Sequence, residues 1–276
     1  MRAFEKVAVV GTGLIGGSIA LAMKKKRLCR RVIGISLHKE SLDSAKRLGA
    51  VDEAFLSLEA IKDADLVILA MPVRAILKLA PKISQIVKID CLVFDVASTK
   101  VNITGKLSGL FKFFVGAHPL AGSEKRGINF ARPDLFLNSL CILTPLKNTD
   151  KSAVLKVKKL WTALGAKTLV MSPQRHDRIL GFVSHLSHIA AFSLINSIPA
   201  QFLKFSIASL KESTRIASSD PRLWAEIVLD NRKNSLAAIS KMQANLRQIK
   251  SALQSKSSSR LTGIFKKAKF RRDSLK

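Results

Sequence analysis

The sequence predicts an α/β fold, a doubly wound and mostly parallel sheet, followed by an all-α domain. Three observations point there. A glycine-rich turn joins a strand to a helix near the start, short apolar runs alternate with amphipathic stretches as far as residue 172, and beyond it only helical periodicity continues. The expected domains are therefore 1–172 and 173–276.

Val7-Ala8-Val9-Val10 supplies an apolar strand and runs directly into Gly11-Thr12-Gly13-Leu14-Ile15-Gly16. Each glycine has a separate role in such a turn: Gly11 permits the tight reversal, Gly13 lets backbone approach a pyrophosphate, and Gly16 lets the helix pack close to the strand. The first N–H groups of the helix, from Leu14 and Ile15 onward, lack intrahelical partners and sit at the positive end of its dipole, so they favour an anion. Lys24-Lys25-Lys26-Arg27 closes that helix with positive charge where the dipole is negative. The unit reads as a dinucleotide site contacted by Gly11, Gly13, Leu14, Ile15 and Gly16.

Further strands are expected at 31–36, 65–70, 91–95, 113–116, 140–144 and 168–171. Helices are expected at 41–48, at 73–87 with an interruption at Pro81, and at 150–164. After Ser172-Pro173, long helical patterns cover 174–197, 204–217 and 221–253, and the serine-rich 255–260 reads as a frayed link to a short terminal helix. The apolar content of these helices is large for one thin layer, which implies that part of it packs against a second subunit in a homodimer.

Composition limits the setting. A chain of 276 residues with 47% hydrophobic content can bury a sizeable core. Cys29, Cys91 and Cys141 are scattered and lack metal-ligand spacing, which fits a reducing, cytoplasmic compartment, and the strand that begins almost at once leaves no room for a signal peptide. The apolar stretch 179–203 is long enough to raise a membrane span, but His185, His188, Asn196 and Pro199 interrupt it, so a buried helix is the better reading. The net charge of +28 invites a nucleic-acid role; the basic residues are spread through every helix and accompany no nucleic-acid module, so a solvated basic surface that steers anionic ligands is favoured.

The residue ending the second strand bears on the choice of dinucleotide. NAD-preferring sites usually place Asp or Glu there, which binds the ribose hydroxyls and repels a 2′-phosphate. Here the position holds Ser36, followed by His38 and Lys39. Missing repulsion together with Lys39 slightly favours NADP over NAD, although Glu40 stands close enough to offset Lys39.

Two segments carry groups suited to chemistry. His118 lies in Val115-Gly116-Ala117-His118-Pro119-Leu120-Ala121-Gly122-Ser123-Glu124, after a strand and in a glycine-bearing loop, where ligands of such sheets bind. Its near-neutral pKa suits a general base, and Pro119 restricts the backbone that aims it. The helical domain adds His176-Asp177, Ser184-His185-Leu186-Ser187-His188, and Thr214-Arg215-Ile216-Ala217-Ser218-Ser219-Asp220-Pro221. His185 and His188 share a helix face, yet no carboxylates complete a ligand set, so no metal is expected. Arg215 can fork onto a carboxylate; a surface ion pair with Glu212 is the competing use of the same side chain. Asp220-Pro221 reads as a cap and first-turn proline.

Taken together and in this order, the glycine turn, the Gly116–Glu124 segment, Ser184–His188 and Thr214–Pro221 resemble the prephenate and arogenate dehydrogenases of tyrosine biosynthesis, over nearly the whole chain. The resemblance implies a Rossmann-type domain, a helical dimerisation domain and a site between them. It implies an oxidoreductase that converts prephenate to 4-hydroxyphenylpyruvate by oxidative decarboxylation while reducing NAD or NADP, with arogenate conversion to tyrosine as the alternative. A non-catalytic dinucleotide sensor or nucleic-acid-binding protein is the remaining class.

By the same resemblance His118 is the catalytic base, and Ser98, in Asp95-Val96-Ala97-Ser98-Thr99-Lys100, contacts the reacting hydroxyl and the nicotinamide. Arg215 binds a substrate carboxylate, His188 lies near the substrate side chain, and Ser123, Glu124 and Glu212 line or gate the entrance. Ser187 and Ser123 stand where proline and threonine are common, and residues 206–210 replace a glycine-rich approach to the arginine. The reaction needs His118 neutral, and nearby cationic groups such as Arg215 would help by disfavouring the imidazolium.

Overall fold

The computed structural model describes residues 3–122 and 125–275. The sheet domain runs β1 Phe4–Val10, α1 Leu14–Lys25, β2 Cys29–Ile35, α2 Lys39–Arg47, β3 Glu53–Phe55, β4 Leu66–Leu69, α3 Val73–Ile86, β5 Leu92–Asp95, α4 Val101–Leu107, β6 Phe113–Pro119, β7 Leu140–Leu143, α5 Lys151–Leu164 and β8 Lys167–Val170. The strands form one sheet in the order β3-β2-β1-β4-β5-β6-β7-β8, and its strand direction reverses only between β6 and β7. Val7 and Val9 enter one apolar cluster while Ala8 and Val10 enter the other, so both faces of the sheet are covered. Near-continuous apolar strands are what burial on two faces demands. With β1 between β2 and β4, the order of connection reverses there, and the crevice at the carboxyl ends of these strands is where an α/β sheet binds ligands.

Three departures from the sequence reading have local causes. The edge strand β3 is only Glu53-Ala54-Phe55, too short to leave a period. Pro81 does not interrupt α3; the helix continues through it, and the Leu77 carbonyl that loses its helical donor receives Lys106 Nζ at 3.0 Å instead. β6 extends past Gly116 to Pro119 because antiparallel pairing with β7 sets Ala117 opposite Leu143 and His118 opposite Ile142. His118 therefore stands on a strand rather than in a loop.

The helical part comprises α6 Pro173–Leu180, α7 Leu186–Asn196, α8 Ala208–Thr214, α9 Pro221–Asp230, α10 Arg232–Gln254 and α11 Ser258–Asp273, with short 3₁₀ turns at Ala200–Phe205 and Arg215–Ser218. A π turn, Gly181–His185, joins α6 to α7 in one rod. The expected 204–217 helix is split by Ser206 and Ile207 in extended conformation. The expected 221–253 helix breaks at Asn231, whose side chain donates to the Asp177 carbonyl at 2.7 Å instead of facing solvent. Beyond the link, α11 is a regular helix whose first turn is capped by Ser257, so only residues 255–257 are non-helical there.

The apolar rod is not the buried helix that its composition suggests. Only 22% of its most apolar window is covered within one chain, and Phe182 and Val183 remain 40% and 65% exposed. His176 and Asp177 of the rod are buried instead, and Asp177 reaches the sheet domain, where it caps α4.

Candidate active site

The dinucleotide cradle forms as its glycines require. Gly11 has φ of 103°, in the left-handed region, and a Cβ there would lie 2.3 Å from the Ala70 carbonyl oxygen. Gly16 packs so closely that its Cβ would fall 2.1 Å from the Gly11 carbonyl oxygen, whereas a Cβ on Gly13 would meet nothing within 4 Å among the described residues. The space in front of Gly13 is open for a ligand. No side chain caps α1, so the N–H groups at Leu14 and Ile15 face that space without a competing acceptor from a cap. Gly11 N–H donates to the Ile35 carbonyl at 2.8 Å, tying the turn to the end of β2, and Ser41 donates to the Thr12 carbonyl at 3.2 Å. Ser36 follows β2 directly and accepts the His38 N–H at 3.2 Å, while Lys39 opens α2 and is exposed. The donors and the open backbone fit a dinucleotide.

Because β1, β5 and β6 run parallel, Gly11, Ser98 and His118 emerge along the same edge of the sheet. Ser98 lies in the bend after β5, three residues past Asp95, which pairs with Gly116. Beneath them Lys100 is wholly buried. Its ammonium pairs with the Asp95 carboxylate and donates to the Ala117 carbonyl at 2.8 Å, one residue before His118. Burial pushes the Asp95 carboxyl up from its ordinary value, and the Lys100 charge opposes that shift.

The helical domain closes on this edge through carboxylates. Asp177 of α6 accepts the Lys100 N–H at 2.8 Å and the Val101 N–H at 2.9 Å, capping α4 from a distant segment. Asp230 of α9 accepts from Thr99 Oγ1 at 2.5 Å and from Asn102 Nδ2 at 2.8 Å. Next to Asp177, the buried His176 reaches His118: its Nε2 lies 2.8 Å from His118 Nδ1, and its own Nδ1 lies 2.7 Å from Asp177 Oδ1. Burial holds His118 well below the ordinary imidazole pKa, with the charges of His176, Lys100 and His185 adding to it. Burial is the largest cause of that shift, and Lys100 is a contributing cation that the sequence reading did not name.

Arg215 acts elsewhere. It starts a 3₁₀ turn packed against α7, and its charge adds to burial in lowering the pKa of His188. His188 stacks on Trp224 with ring centroids 3.4 Å apart, and its Nδ1 donates to the Ser184 carbonyl at 3.2 Å. His185 turns away from it, buried against Asn231, and its pKa is lowered to about 4 by burial. Both histidines of the Ser184–His188 segment meet Trp224, His188 stacked on its ring and His185 edge-on at 6.1 Å. Glu212 is exposed on α8, and Asp220 caps α9 by accepting the Leu223 N–H at 2.7 Å while pairing with Arg126. Ser123 and Glu124 lie outside the described residues.

Sequence reasoning missed Lys100 and the coupling of His176 to His118. Lys100 stands two residues from Ser98, and a lysine within an apolar strand-end segment is the signal that could have marked it. His176-Asp177 was visible as a pair, but nothing local indicates its partner.

Comparison with known proteins accounts for both halves of the chain. Residues 19–170 match the family model described as prephenate dehydrogenase, nucleotide-binding domain, and residues 172–267 match prephenate dehydrogenase, dimerization domain. The chain is 34% identical to the prephenate dehydrogenase of Bacillus subtilis, over 98% of this chain and 76% of that protein. It is 32% identical to the cyclohexadienyl dehydrogenase of Zymomonas mobilis, over 100% and 98% of the two chains. The structure of prephenate dehydrogenase from Aquifex aeolicus, in complex with hydroxyphenyl propionate and NAD+, superposes with a TM-score of 0.93 at 33% identity, covering 99% of this chain and 98% of that one. A strand-end histidine beside a dinucleotide cradle, framed by a helical domain that matches in the same order, makes this chain a member of the prephenate dehydrogenase family.

Proposed function

We propose that the protein catalyses oxidative decarboxylation of prephenate to 4-hydroxyphenylpyruvate with His118 as its general base. The observation that carries this reading is a neutral, positioned imidazole at the end of β6, on the same sheet edge as the dinucleotide cradle. Gly11, Gly13, Leu14, Ile15 and Gly16 would hold the dinucleotide, which supplies hydride acceptance. The protein's part is position and one base. His118 takes the hydroxyl proton as the carbinol carbon loses hydride, which leaves a dienone. The ring carboxylate then departs as carbon dioxide, its bonding pair entering the ring, and the resulting phenolate recovers a proton from His118. A base that begins protonated would instead promote loss of the hydroxyl, so the low pKa of His118 suits the chemistry. In this reading Ser98 contacts the hydroxyl, and the resemblance assigns His188, Glu212, Ser123 and Glu124 to substrate binding. The deciding experiment adds prephenate and NAD or NADP to the purified chain and follows nicotinamide reduction together with carbon dioxide release. Dinucleotide binding without turnover of prephenate would sink the reading. The relative from Zymomonas mobilis carries the broader name cyclohexadienyl dehydrogenase, so arogenate is the second substrate for the same assay.

Arg215 is the carboxylate fork in this reading. Replacing it by Ala is expected to cost about 1.5–3 kcal/mol of charge-assisted hydrogen bonding, or roughly 10- to 150-fold in kcat/KM, chiefly through KM. An unchanged KM would return Arg215 to an ion pair on the surface.

For the cofactor, binding of NAD follows from the family, and NADP is slightly favoured by Ser36, which offers no carboxylate to repel a 2′-phosphate, with Lys39 opening α2 beside it. Ser36→Asp should shift the ratio of kcat/KM values toward NAD. A parent enzyme clearly faster with NAD would overturn the NADP preference without touching the reaction.

The uncovered apolar faces of 174–253 require a second copy, and the chain is expected to be a homodimer by light scattering at micromolar concentration. A monomer would contradict this. Three buried thiols suit a reducing, cytoplasmic compartment.

A further inference from the structure

We infer that Asp177 and His176 form a proton-ordering relay that fixes His118 as the Nδ1–H tautomer and leaves its Nε2 as the basic nitrogen. The inference deepens the reading of His118 as the base and rests on it for its catalytic meaning, though not for its geometry.

The order of protons follows from the donors on the carboxylate. Oδ1 of Asp177 accepts the Lys100 N–H at 2.8 Å and Oδ2 accepts the Val101 N–H at 2.9 Å, so the group is held as an acceptor at the start of α4. Asp177 Oδ1 is also 2.7 Å from His176 Nδ1, and two acceptors cannot share that contact, so His176 Nδ1 carries the proton. His176 is fully buried, which lowers its pKa and leaves its ring one N–H. Its Nε2 is then a lone pair, 2.8 Å from His118 Nδ1, and the hydrogen in that contact must come from His118. A neutral His118 with hydrogen on Nδ1 presents its lone pair at Nε2, on the far side of the ring.

The relay is built rigidly. Ser172 caps α6 through the Arg175 N–H at 3.2 Å, the His118 and His176 rings meet edge to face at 5.0 Å, and Asn231 secures the Asp177 carbonyl at 2.7 Å. When Nε2 takes a proton, the Nδ1–H stays bonded to His176, so the imidazolium is stabilised without moving. Lys100 and His185 oppose that charge, which keeps the base neutral until a substrate proton is delivered. His176 and Asp177 are therefore positioning residues, and the wrong tautomer would place a hydrogen where the base must accept one.

The test uses the full chain labelled with ¹⁵N in its imidazoles. Five histidines are present, and the His118→Asn spectrum identifies the His118 signals by their loss. At neutral pH His118 should show a protonated Nδ1 and an unprotonated Nε2. His176→Phe, which keeps a flat ring but removes its acceptor, should release that preference and lower kcat by about tenfold or more while KM stays within about twofold. Combined with His118→Asn, His176→Phe should cost nothing further in kcat. A hydrogen on His118 Nε2 in the parent chain overturns the relay even if His118→Asn is inactive. A folded His176→Phe chain with unchanged kcat and unchanged pH profile overturns it as well. Retained turnover in His118→Asn would instead remove the base reading and leave the tautomer result to stand or fall by itself.

Discussion

The His118→Asn chain is expected to fold and bind dinucleotide normally while losing about a hundredfold or more in kcat, because an amide can hold the hydroxyl but cannot accept its proton. The backbone reasons for stability are unaffected: residue 118 is held by strand pairing with Ile142, and the side chain faces His176 rather than the apolar core. Near-normal turnover at saturating substrate would assign the proton transfer to another group. The pH profile supplies an independent check with a definite sign. The active form is neutral, so kcat/KM falls as pH drops through the His118 pKa. Since burial and the charges of His176, Lys100 and His185 hold that pKa well below 6.5, the acid limb belongs well under neutral pH. A limb centred at or above about 6.5, the value of an unperturbed imidazole, would show that His118 is not the titrating group.

Lys100→Met should produce the largest loss of stability. Both side chains of the Lys100–Asp95 pair are 0% exposed, and Met keeps most of the volume while removing the charge. Removing one partner of a buried pair costs about 3–5 kcal/mol, because the other is stranded without water. Asp95 Oδ1 already has no hydrogen-bond partner among the described residues, which leaves little to compensate the loss. Urea denaturation measures the effect, and a variant within about 1 kcal/mol of the parent would mean that Asp95 simply takes up a proton. Replacing both members by apolar residues, Asp95→Leu with Lys100→Met, should recover much of the stability, as buried pairs give little net gain over well-packed hydrocarbon. Turnover should not recover with it, because the Ala117 carbonyl, one residue before His118, loses its buried donor.

The sequence by itself determined the parts of this protein that are written locally. Gly11, Gly13 and Gly16 specify the turn because the constraint on each is met within one strand, one turn and one helix, and the apolar strands show themselves because both faces of a parallel sheet are buried. The helix cap Asp220 was readable for the same reason: it accepts from the N–H of Leu223, three residues away. Resemblance, rather than pattern, singled out Ser98, whereas His118 and Arg215 stood out by residue type and place and took their specific roles from the resemblance. The tertiary structure alone decided the electrostatics of the site. His118 and His176 are 58 residues apart, and Lys100 and Asp177 are 77 apart, so no periodicity connects them. It also decided that β6 runs on through His118, since that extension depends on the antiparallel partner β7, and that the apolar rod after Ser172 is left uncovered by its own chain. Local propensity and hydrophobic period act over a few residues, whereas burial, and with it the charge state of His118, belongs to whatever the fold packs against it.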